Sequence, residues 1–173
     1  MKKLLIAGAC MIATAAALAQ GQLNFSNIVP AAGINAPILL PDGSAAGSGY
    51  FAQLYWGTAD DPSSFDPVGD AVELTAGYIL PRAVTLPGAP DGTSVFVQVR
   101  AWEGAAGTSY EAARANLGLV GESNVLNLTV AEAPNLPPDM VGLESFSLTV
   151  IPEPSTIALG LLGAAALLLR RRK

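Results

Sequence analysis

The stretch Val95-Phe96-Val97-Gln98-Val99-Arg100-Ala101-Trp102 alternates without interruption. In an extended chain Val95, Val97, Val99 and Ala101 share one face, and Phe96, Gln98, Arg100 and Trp102 share the other. That two-residue period is a strand's, and its apolar face requires a second layer to cover it. Tyr50–Trp56 repeats the pattern, with Tyr50, Ala52, Leu54 and Trp56 on one side. Leu126–Val130 alternates as well, and so does Ser145–Val150, with Phe146, Leu148 and Val150 expected inward. Weaker runs lie at Leu23–Ser26, Ile34–Leu40, Val72–Thr75 and Ala83–Leu86. Turn signals separate them: Pro41-Asp42-Gly43, Pro87-Gly88, Pro90-Asp91-Gly92 and Pro137-Pro138-Asp139. About eight short strands broken by such turns predict an all-β fold, an antiparallel β-sandwich of jelly-roll or Ig-like type. Ser109–Asn116 is the one expected helix outside the chain ends, an elaboration on a loop with Ser109 as its N-cap.

The two ends obey different rules. Lys2 and Lys3 precede an apolar run from Leu4 to Ala16, and Ala17-Leu18-Ala19 forms an A-x-A site before Gln20. This is the pattern of a secretory signal peptide over residues 1–19, with signal peptidase as its partner and Ala17 and Ala19 as the cleavage signal. Cys10 sits too early in the apolar run to serve as a lipoprotein cysteine. At the other end, every residue from Ile157 to Leu169 is Ile, Ala, Leu or Gly. A helix with no polar face belongs in a membrane. Thirteen residues reach only about 20 Å, short of the roughly 30 Å bilayer core. Ile157, Leu159, Leu161, Leu162, Leu167, Leu168 and Leu169 supply the bulk of this expected transmembrane anchor. The cluster Arg170, Arg171, Arg172 and Lys173 can snorkel and, by the positive-inside rule, stays cytoplasmic.

Pro152, Glu153, Pro154 and Ser155 stand just before that apolar run. The three parts together, motif, apolar segment 157–169 and basic end, resemble the PEP-CTERM sorting signal of exported proteins in Gram-negative bacteria that carry an exosortase. The resemblance covers only about the last two dozen residues. It implies that an exosortase-type enzyme, a membrane-embedded cysteine transpeptidase-like protein, processes the chain near the motif. The chain would pass through a single-span inner-membrane precursor on its way to the cell surface or extracellular matrix. The organisation expected is therefore a signal peptide at 1–19, a β-sandwich domain at 20–151, and the sorting signal with its helix at 152–173.

Removing the ends changes the composition. Six of the nine basic residues lie in the two signals. Between Gln20 and Glu153, three arginines face all fourteen acidic residues, a net charge of −11. Such a surface repels nucleic acid and anionic lipid. The chain has no His, and its only Cys is Cys10 in the signal peptide. Disulfides therefore do not hold the domain, and its 132 residues must be stabilised by a packed core.

The same absences exclude Ser-His-Asp and Cys-His triads and His-based zinc sites. No phosphate-binding glycine loop or dinucleotide unit occurs. No cofactor and no enzymatic activity are expected. Asp60, Asp61, Asp66 and Asp70 crowd one segment, a weak calcium pattern whose plainer reading is a solvated turn between strands. Trp56, Tyr55, Trp102 and Tyr110 are candidates for a sugar-binding face, although aromatics on strands more often pack a second core layer or protect a sheet edge. The expected role is structural or adhesive, in the matrix or envelope. The rival reading is a carbohydrate-binding module, with extracellular polysaccharide as partner, delivered by the same signal.

Overall fold

The structure, a computed structural model, describes residues 20–151. The signal peptide with Ala17 and Ala19, the motif Pro152–Ser155, the apolar segment and the basic cluster lie outside the described residues. In chain order the first strands are β1 (Gln22–Phe25), β2 (Ile28–Val29), β3 (Ile34–Asn35), β4 (Ile38–Leu39), β5 (Tyr50–Gly57) and β6 (Asp66–Glu73). There follow β7 (Arg82–Thr85), β8 (Ser94–Glu103), helix α1 (Tyr110–Ala115), β9 (Leu119–Glu122), β10 (Leu126–Thr129), β11 (Phe146–Ser147) and β12 (Thr149–Val150). Among the described residues no helix is long and apolar enough to cross a membrane.

The most strictly alternating segment is the centre of the fold. β8 pairs antiparallel with β5, and β5 with β6. The other edge of β8 is shared: β10 lies opposite Ser94–Val97 and β9 opposite Arg100–Trp102. Ser123 fills the break between them. Its N–H donates to the Val99 carbonyl, and its hydroxyl accepts from the Val99 N–H, each at 2.9 Å. β12 adds to β9 and completes a six-stranded antiparallel sheet.

Both faces of this sheet are covered. On one side Ala52, Leu54, Val95, Val97, Val99 and Ala101 pack against Leu23 and Phe25 of β1, Val84 of β7, and Ile34, Ile38 and Leu148. The elements opposite are three two-stranded ladders: β1–β7, β2–β3 and β4–β11. The sequence predicts antiparallel pairing only, but β4 and β11 run parallel. The reason lies in Ser145–Val150, which is not one strand. Phe146 and Ser147 pair with β4, the Leu148 N–H donates to the Leu39 carbonyl, and Thr149 and Val150 then cross to β9. Leu148 is fully buried at this crossing, Phe146 is half-buried, and Val150 points outward, against the expected inward trio.

The second face carries Tyr55, Trp102 and Val120, capped by Tyr110 and Ala113 of α1 and by Phe65. The expected helix is present, and the Ser109 side chain accepts from the Ala112 N–H as its N-cap. Its place differs from the expectation: α1 closes a second core layer and does not merely decorate a loop. The acidic segment also departs from a plain turn, because Asp66–Glu73 forms β6, the edge strand beside β5. An edge position tolerates Pro67 and the outward charges of Asp66 and Asp70. Loops on the first face are tied by the buried Asn27, whose amide donates to the Ala36 and Gly77 carbonyls and whose oxygen accepts from the Ile79 N–H, each at 2.8 Å.

Candidate functional site

Arg100 lies on the outer face of β8, between Gln53 of β5 and Glu122 of β9. Only 11% of its side chain is exposed. Its guanidinium lies 4.3 Å from the Tyr55 ring centroid and 5.3 Å from that of Tyr110, within cation–π range of both. Nη2 donates to the Pro62 carbonyl at 2.6 Å and Nε to Gln98 at 3.0 Å. Glu111 and Glu122 each approach to 3.8 Å. The Tyr55 hydroxyl donates to Glu111 at 2.9 Å and the Tyr110 hydroxyl to Glu122 at 2.7 Å.

Burial first, then the hydrogen bond and negative charge of the neighbouring carboxylate, push both tyrosine hydroxyls well above their ordinary pKa. They stay protonated, the opposite of what a tyrosine nucleophile or base needs. The cavity beside Arg100, about 390 Å³, is lined by Pro62, Ser63, Arg100, Arg114 and Glu122. With its cation already matched by two carboxylates, the cluster pins α1 and the Pro62 turn to the sheet.

The chain leaves the described body at the far edge of the same face. β12 pairs Thr149 with Val120 and Val150 with Leu119. Ile151, the last described residue, packs on the cluster of Tyr55, Trp102 and Tyr110. Two residues before Leu119, α1 ends in a Schellman motif: the Leu117 N–H donates to the Arg114 carbonyl and the Gly118 N–H to that of Ala113. The left-handed position of that motif holds Leu117, at φ 56°, where glycine is usual.

The structure separates the other expected sites. Tyr55, Trp102 and Tyr110 are buried, and Trp56 packs half-buried on the opposite core, so the four aromatics form no common platform. Trp102 stacks on Phe51 at 6.1 Å and donates from its indole N–H to the Gly107 carbonyl. A shallow cavity of about 320 Å³ opens there between Phe51, Trp102 and Thr108. Asp60, Asp61, Asp66 and Asp70 do not converge. Asp61 caps the turn at Pro62–Ser64, Asp66 and Asp70 are in β6, and no group of three potential metal ligands forms among the described residues. Sequence reading misses Arg100, whose partners are distant in the chain, and, at the helix stop, Leu117. Its signal is a leucine where a helix stop calls for Gly or Asn.

Residues 150–173 match the model of the PEP-CTERM protein-sorting motif. The chain therefore carries this sorting motif at its C-terminal end, and the motif implies export and processing by an exosortase. The match begins within β12, at Val150. No curated protein and no solved structure matches the chain.

Proposed function

We propose that the chain is an exported, non-catalytic surface or matrix protein whose folded body is carried by an exosortase-processed tail. Residues 1–19 direct export and are removed by signal peptidase. Residues 157–169 hold the precursor in the inner membrane, and processing near Pro152–Ser155 delivers the body to the cell surface or matrix. The observation that carries this reading is the sorting-motif match at 150–173, which starts on the body's last strand. The body reads as a β-sandwich, a reading supported by the six-stranded sheet facing short ladders across one core. A structural or adhesive role fits a body without His or Cys, with a strongly acidic surface and an inward-turned aromatic set.

Intact mass of the protein from its native host tests the reading. Wild type should end upstream of Ile157. Changing Pro152, Glu153 and Pro154 together to Ala should leave insertion intact and block processing. A native chain that still ends at Lys173 would leave an ordinary membrane anchor in place of a sorting signal.

A further inference from the structure

We infer that the cavity between the Pro62–Ser64 turn, β8, β9 and α1 binds a uronic-acid unit of a saccharide, its carboxylate held by Arg114; this gives the adhesive role proposed above its ligand and rests on that reading. The cavity measures about 390 Å³, within the range of about 300–1,000 Å³ usual for small-molecule sites. Two of the body's three arginines, Arg100 and Arg114, meet in its lining. Their situations differ. Arg100 is 11% exposed and is held by the Pro62 carbonyl, Gln98 and two carboxylates. Arg114 is exposed, and among the described residues it forms no ion pair.

The rest of the lining offers hydrogen-bonding groups of both kinds. Glu122 accepts from the Tyr110 hydroxyl at Oε1, and among the described residues its Oε2 has no donor. The Ser63 hydroxyl donates to Asp61 and keeps its lone pairs for accepting. Nη1 of Arg100 makes no hydrogen bond among the described residues, since Glu111 stands 3.8 Å away. One unpartnered cation with donors and acceptors around it matches a single carboxylate set among hydroxyls. A uronic acid has that composition. A phosphate fits less well, because Glu122 lies in the same wall and the local charges, two arginines against Glu111 and Glu122, already cancel. The acidic body likewise repels a densely charged chain, so the uronic acid has neutral sugars as neighbours.

The test is calorimetry at low salt on the protein purified from its native host, with two disaccharides that differ in one group: cellobiouronic acid (glucuronosyl-glucose) and cellobiose. The acid should bind about tenfold more tightly than cellobiose. Arg114→Gln should weaken binding of the acid about tenfold and leave cellobiose unchanged. Arg114→Lys keeps the charge but loses the planar fork, and should fall between. Arg114 is exposed, so both variants should stay folded, which their melting temperatures check. Equal affinity for the two disaccharides, no binding of either, or no effect of Arg114→Gln would overturn the site. Acetate or inorganic phosphate bound as tightly as the acid would reveal a general anion site and overturn the saccharide. Intact mass should show the same processing for wild type and Arg114→Gln. Absent binding with normal processing therefore sinks the site alone, and a native chain that still ends at Lys173 sinks the sorting reading alone.

Discussion

Asn27 shows how much of the fold rests on contacts that no local pattern announces. It is fully buried, and its side-chain amide binds three backbone groups in two other segments, at Ala36 and at Gly77 and Ile79. Truncation to Ala would leave those groups without partners, at about 1–3 kcal/mol for each left buried and dry. With partial relaxation, Asn27→Ala should cost about 3 kcal/mol in urea unfolding. Tyr55 and Tyr110 give a pH-dependent counterpart. Burial and the carboxylates of Glu111 and Glu122 raise their pKa in the folded chain. The unfolded chain therefore releases these protons first, near the ordinary tyrosine value of about 10. Their contribution is fully present below that pH and declines as pH rises above it. Urea midpoints at pH 8 and pH 11 should differ, and the difference should shrink in the Tyr55→Phe, Tyr110→Phe double variant. At this scale Ser109 was legible, because an N-cap is a local device. Asn27 and Arg100 were not: the Asn27 bonds to Gly77 and Ile79 span about fifty residues, and Arg100 meets Pro62 across 38.

Elements whose periodicity served one sheet were read correctly, and those serving two were not. β5 and β8 each lie in the middle of one sheet, so their alternation maps directly onto its two faces. Ser145–Val150 alternates equally well, but its halves belong to different sheets, and Leu148 is the corner where the chain turns between them. A strand that changes sheets keeps its period while exchanging its partners. β6 failed to register as a strand over Asp66–Asp70 for a different reason. An edge strand is protected by the Pro, Gly and charges that otherwise mark a turn, and its register against β5 shifts between Ala52 and Leu54. β9 and β10 are short because Ser123 interrupts the pairing with β8. The aromatic residues of β5 and β8 suggested a binding face, since a second core layer and an open platform have the same sequence signature. The helix decides between them, because Tyr110 and Ala113 close over Tyr55 and Trp102.

For the whole molecule, the sorting signal was readable from its own residues, whereas its junction with the body required the fold. From Ile151 to Ile157 an extended chain spans at most about 20 Å, so a precursor anchored through residues 157–169, as proposed above, would keep the body close to the bilayer. The body's bulk then hinders access to Pro152–Ser155. A short Gly/Ser linker placed between Ile151 and Pro152 lets the motif reach further from the body, because a flexible chain spans a distance that grows with its length. The linker chain should therefore be processed faster than wild type in the native host. Pulse-chase of the two chains, with insertion monitored in parallel, checks this, and an unchanged or slower rate would overturn the crowding account.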